Sequence, residues 1–119
     1  MGGDITQGVG PSRPMLVAVD TNPLRLDRIE GELTRCFGSD FRIRGELNAA
    51  AALDVLDTAR DIGQRVAVVL VDLAVPAEDR AKLFDRARAE HPDARRAMLV
   101  EWGAWADRDA ASAILQAMT

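Results

Sequence analysis

Four stretches of the chain are apolar enough to be strands, and between them the apolar residues recur at helical spacing. The longest is Arg65-Val66-Ala67-Val68-Val69-Leu70-Val71, which ends in Asp72 and is followed by Pro76. An unbroken β-branched run bounded by helical patterns predicts a central parallel strand buried on both faces. Met15-Leu16-Val17-Ala18-Val19, ending in Asp20, predicts a second buried strand. Phe41, Ile43 and Leu47 alternate with Arg42, Arg44 and Glu46, the period of an edge strand with one solvated face. Arg96 to Val100 is a fourth, shorter strand.

The intervening segments carry helix punctuation. Asn22-Pro23 starts a helix, with Asn as cap and Pro at the first helical position. Leu26, Ile29, Leu33 and Phe37 make its apolar face, and the lone Cys36 beside them is expected to be a small buried hydrophobe. Arg25, Asp27, Arg28, Glu30, Glu32 and Arg35 mark its solvated side, and Gly38 is expected to close it as a C-terminal glycine. Asn48 caps a second helix from Ala49 to about Ile62, with Ala52, Leu53, Leu56, Ala59 and either Ile62 or Gly63 along one face, and Gly63 ends it. A third helix, about Glu78 to Glu90, carries Leu83, Phe84 and Ala87 and stops at His91-Pro92. The single histidine, His91, reads as a helix-end residue, since nothing beside it supplies a metal partner or nucleophile. A loop holding Trp102 and Trp105 leads to a last amphipathic helix with Ala110, Ile114, Leu115 and Met118. Strand and helix alternate four times. This predicts an α/β fold, a doubly wound parallel sheet with right-handed crossovers and helices on both faces. Residues 1–13 hold four of the nine glycines and no apolar period, which predicts a flexible tail before a domain spanning residues 14–119.

Bulk properties narrow the function classes. A chain of 119 residues is one domain, and 48% hydrophobic with 29% charged residues is an ordinary globular composition. The net charge of −4 argues against a nucleic-acid or anionic-membrane partner. No stretch approaches the ~18 apolar residues of a membrane span, and the start of the chain lacks a signal-peptide layout, so a cytoplasmic protein is expected. Neither a glycine-rich dinucleotide fingerprint nor a nucleophile–base pair occurs, so the chain is not expected to be an enzyme.

The chemistry gathers at one sheet edge. Parallel strands deliver their carboxyl ends to the same side, so Asp20, Asp72 and the Val100-Glu101 junction should cluster if their strands are neighbours. Two carboxylates there suit a hard divalent cation such as magnesium. The plainer alternative is a pair of strand-end residues making turn hydrogen bonds.

The run Leu16 to Asp20 with Pro23, the run Val68 to Asp72 with Pro76, and Arg95 to Val100 before Gly103 resemble a response-regulator receiver domain. Phe41-Arg42-Ile43, Gly63 to Val69 and His91 to Arg96 are similar to receivers at the N-terminus of larger proteins, notably thioredoxin-reductase-like flavoproteins. The resemblance implies a flavodoxin-like sheet of order 2-1-3-4. It implies Asp72 as phosphoacceptor for a partner histidine kinase, and a magnesium ion held by Asp20, Asp72 and the backbone carbonyl of Ala74. Thr21 stands where the family has a second carboxylate, Val100 where it has a phosphate-binding hydroxyl, and Arg80 where it usually has a glycine. A weak magnesium site is therefore expected. The family's fifth strand, its lysine and its last helix have no counterpart before Thr119, which makes strand four an expected edge. Self-association is expected through that edge or through the last helix, with Trp102 and Trp105 as a candidate partner surface. Three readings follow. The favoured one is a degenerate receiver acting as a docking or dimerisation module; the others are a phosphorylatable receiver and the regulatory head of a fused disulfide-reductase-like flavoprotein.

Overall fold

The computed structural model describes residues 13–100. Within them the order is β1 (Met15–Val19), α1 (Pro23–Phe37), β2 (Arg42–Glu46), α2 (Ala49–Ile62), β3 (Val66–Asp72), α3 (Ala77–Glu90) and β4 (Arg95–Leu99). The four strands are all parallel and lie in the order β2-β1-β3-β4. β1 is buried along its whole length, as its uninterrupted apolar sequence requires of a central strand. Residues 1–12 of the expected tail and the last helix lie outside the described residues, as do Glu101, Trp102 and Trp105. Arg13, placed in that tail by the sequence, is tied down: it donates to the Gly38 carbonyl at 2.6 Å, and its own carbonyl accepts from the Gln64 side chain at 2.9 Å.

The core lies mainly on one face of the sheet. Val17, Val19, Val69 and Val71 point into a cluster with Ala52, Leu56 and Ala59 of α2 and Leu83 and Ala87 of α3. The opposite face, with Leu16 and Ala18, is buried together with Leu26 of α1. The α2–α3 pair is tied at its polar rim, where Arg86 grips both Asp57 carboxylate oxygens at 2.6 and 2.8 Å and Arg60 meets Glu90 at 2.6 Å. His91 is more than a helix-end residue. It is buried, and its Nε2 lies 2.9 Å from the Leu56 carbonyl oxygen, so the end of α3 is pinned to the middle of α2. A carbonyl only accepts, so this contact assigns the proton to Nε2.

A register shift sets the position of the carboxyl edge. Met15 pairs with Val66, but Leu16 pairs with Val68, so Ala67 is an extra residue in β3. From there the ladder runs evenly to Val19 opposite Val71. The next residues on each strand are Asp20 and Asp72, which the shift brings level. Without the extra residue, Asp20 would lie level with Val71 and Asp72 would fall on the other face of the pleat.

Several expectations need correction. Cys36 is exposed, and Phe37 is 45% exposed, because α1 covers the sheet mainly with its first turns around Leu26. Gly38 is right-handed (φ −62°), and its N–H closes the helix on the Thr34 carbonyl; the left-handed C-terminal glycine is Gly63 (φ 73°). Leu47 falls beyond β2 and is exposed, while Ile62, at 69% exposure, lies off the buried face of α2. β4 begins and ends one residue earlier than its apolar run suggests.

Chemical denaturation tests this layering. Leu56→Ala, at a site with no exposure and beneath the His91 contact, should cost about 2–5 kcal/mol. Ile62→Ala should change stability by no more than about 0.5 kcal/mol.

Candidate functional site

Asp20 and Asp72 meet where the two central strands end. Asp20 immediately follows β1 and is fully buried; Asp72 is the last residue of β3 and is 6% exposed. Asp72 Oδ1 accepts the Ala74 N–H at 2.8 Å, a side-chain turn that folds the chain back over the strand end. The Leu73 N–H donates to the Leu99 carbonyl at 3.0 Å, so Val100 follows directly at the end of β4. Val100 is half-buried and Thr21 is exposed.

The residue that joins the two acids is Arg25. Its Nε donates to Asp20 Oδ2 at 2.7 Å and its Nη2 to Asp20 Oδ1 at 3.0 Å, a two-pronged guanidinium–carboxylate pair. The same Nη2 lies 3.5 Å from Asp72 Oδ1, long for a hydrogen bond but close for opposite charges. The sequence pattern puts Arg25 on the solvated side of α1, and the structure turns it inward. Asn22 explains how. Its side chain accepts the Arg25 N–H at 3.0 Å as helix cap, while its own N–H donates to Asp20 Oδ1 at 2.9 Å. The cap thereby fixes the start of α1 against Asp20, with Arg25 third in the helix. The readable signal was an acid two residues before a cap and an arginine three residues after it.

A cation in the first turn gains nothing from the helix, whose N-terminus is the positive end of its dipole. The first turn carries no acidic residue to offset it. The carboxylates are what hold Arg25 there. A second arginine fixes the neighbouring loop: Arg80 donates to the carbonyls of Leu73 and Val75, so the turn after Asp72 is tied down on both sides of Ala74.

The two acids respond oppositely to this environment. Burial works against the charge on Asp20, but the Arg25 hydrogen bonds, the Asn22 N–H and the Arg25 charge outweigh it and hold the carboxyl below its ordinary range. For Asp72 burial dominates, and the Asp20 charge adds to it, against the pull of the Ala74 N–H and Arg25; its carboxyl is pushed up.

The magnesium ion that the fold family implies does not fit this arrangement. That ion needs octahedral oxygen donors and keeps several waters. Both oxygens of Asp20 already accept N–H donors, and a guanidinium carries the positive charge between the carboxylates. Thr21 offers no carboxylate, and among the described residues no group of three acidic, His or Cys side chains could hold a metal.

The sheet order, helix placement and carboxyl-edge acids define the fold of response-regulator receiver domains. The chain is similar to the signal receiver domain of an HD domain-containing protein from Pseudomonas fluorescens Pf-5, with 20% identity over 90% of this chain and 77% of that one and a TM-score of 0.65. It is similar to a chain of the complex between the P1 domain of CheA3 and CheY6 from R. sphaeroides, at 22% identity over 86% and 74%, TM-score 0.66. A response regulator from Burkholderia pseudomallei, described with a phosphorylated aspartic acid, a calcium ion and citrate, matches at 18% identity over 87% and 55%, TM-score 0.59. No family model and no curated protein matches the chain. At these identities the likeness establishes the fold. No helix among the described residues is long and apolar enough to cross a membrane.

The opposite shifts make a signed prediction for stability against pH. Asp20, depressed in the folded state, contributes stability that is present above the unfolded carboxylate pKa of about 3.9 and lost as pH falls through its lower folded value. Asp72, raised when folded, favours folding below the unfolded value and loses that contribution as pH rises through its folded one. Asp20→Asn should therefore destabilise the domain by about 1–3 kcal/mol at pH 7, with the deficit shrinking on acidification. Asp72→Asn should be neutral or stabilising at pH 7 and indistinguishable from wild type below pH ~3. Urea titrations across pH check both signs.

Proposed function

We propose that this chain is a degenerate receiver module, one that keeps the receiver fold and its aspartate but acts by presenting a fixed surface to a protein partner. The observation that carries this reading is the set of side chains around Asp72. Among the described residues the Asp20 carboxylate and the Arg25 guanidinium face it, while Thr21 is exposed and a valine, Val100, follows β4. Phosphoryl transfer depends on positioning and on neutralising the charge of the incoming group. That group brings close to two negative charges at neutral pH. Here Arg25 is already engaged with Asp20, and the residue after β4, Val100, has a side chain that cannot donate a hydrogen bond.

The partner fits two descriptions. Among the described residues β4 forms the edge of the sheet, with no strand on its outer side, so strand pairing with a second copy is one route. The other is a separate signalling protein, supported by the complex in which a neighbour of this fold was solved. The sequence features beyond β4 that favour such contacts are Trp102, Trp105 and the apolar period from Ala110 to Met118.

A phosphorylatable receiver is the second reading. The placement of Asp72 at the carboxyl end of the strand beside β1 favours it, as does the phosphorylated aspartic acid of the Burkholderia neighbour. Its partner would be a histidine kinase and its cation a weakly held magnesium. A place at the head of a flavoprotein rests on the sequence resemblance alone.

Intact-mass measurement separates the first two. The full chain is incubated with magnesium and a small-molecule phosphodonor, beside Asp72→Asn. The degenerate reading expects no adduct on either protein. A gain of one phosphate on wild type and none on Asp72→Asn contradicts it.

A further inference from the structure

We infer that Arg25 is a built-in cation, occupying the position between Asp20 and Asp72 that a divalent metal would otherwise take, so that Arg25 sets whether this site can bind metal at all. The inference deepens the degenerate-receiver reading and rests on it.

The charges make the case first. Asp20 and Asp72 are both buried at the end of adjacent strands, and two such carboxylates repel each other unless a positive charge joins them. Arg25 supplies that charge from within the chain. Its fork spans both oxygens of Asp20 and reaches Asp72 with the same terminal nitrogen. A metal ion entering this space would have to displace the Nε and Nη2 donors from Asp20, since those lone pairs are the ones it would coordinate. With the guanidinium still present, the ion would also face a like charge at contact distance.

The backbone makes the case second. Arg25 is aimed by the Asn22 cap, whose N–H shares Asp20 Oδ1 with the guanidinium. The cap and the arginine are thus linked through Asp20, which accepts both the Asn22 N–H and the guanidinium. On the far side, Arg80 holds the Leu73 and Val75 carbonyls and keeps the loop after Asp72 tight. The site is built to stay in one arrangement. An acidic pair bridged by a guanidinium from inside the chain does not wait on cation supply, so the carboxyl edge presents the same surface whatever the metal concentration.

The test compares metal binding by the full chain in wild type, Arg25→Gln, Arg25→Lys and the double variant Asp20→Asn/Arg25→Gln. Free manganese is followed by its paramagnetic resonance signal, and magnesium by calorimetric titration. Arg25→Gln removes the charge and should bind manganese at least tenfold more tightly than wild type. The double variant should return to the wild-type level. Arg25→Lys retains the positive charge and should stay near wild type, and circular dichroism establishes that each variant is folded. Equal affinity in wild type and Arg25→Gln, whether tight or weak, overturns the inference. Should Arg25→Gln fail to fold, sub-millimolar manganese binding by wild type alone overturns it, and its absence together with wild-type-like binding by Arg25→Lys supports it. A phosphate adduct on wild type would instead strike the degenerate reading, and because it is read by mass the two failures are distinguishable.

Discussion

Two carboxylates buried at the ends of neighbouring strands cannot both stay charged without a cation, and in this fold the cation is an arginine side chain. That constraint organises the carboxyl edge of the sheet. It requires β1 and β3 to end level, which the extra residue Ala67 achieves. It requires α1 to start close against β1, which the Asn22 cap achieves by bonding to Asp20 and to the Arg25 N–H at once. It also requires the loop after Asp72 to close over the strand end, which the Ala74 N–H and Arg80 together bring about. The core beneath, with Val17, Val19, Val69 and Val71 against Leu56 and Leu83, is the rigid base that keeps these parts in register.

Most of this fold was legible in the chain, and for a definite reason. Buried parallel strands are nearly continuous apolar runs, and the helices between them are punctuated by Asn-Pro, Asn48, Gly63 and His91-Pro92. β1 has the span its apolar run predicts, and α2 runs from Ala49 to Ile62 behind the predicted cap. The two acids were legible because an acid at the end of an apolar run can only fall at the carboxyl edge. What could not be read was what lies between them. Arg25 belongs by helical period to the solvated side of α1, and only the three-dimensional start of that helix brings it back onto Asp20. The bulge at Ala67 is equally silent, since an alanine within a valine run gives no local sign of a skipped pairing. Cys36 and Phe37 were misplaced because apolar residues late in α1 share its period but extend past the part of the sheet that the helix covers.

The same constraint separates what the fold shares with receiver domains from what is particular to this chain. The order β2-β1-β3-β4 and the helices between the strands are the shared scaffold. Scaffold alone does not specify chemistry, which resides in the groups around the reacting atom. Here those groups include a guanidinium bonded to Asp20 and close to Asp72. What is particular to this chain is that the charge facing the two acids is covalently attached.

The most direct test of this account looks at the guanidinium itself. With the full chain labelled in nitrogen-15, the Nε–H of Arg25, donated to Asp20 at 2.7 Å, should give a resolved and slowly exchanging cross-peak that disappears in Arg25→Lys. The account predicts that this peak keeps its position and its protection when magnesium is raised to millimolar levels. A saturable shift or loss of the peak on adding magnesium would show that the metal displaces Arg25 from the acidic pair, and would contradict the account at its centre.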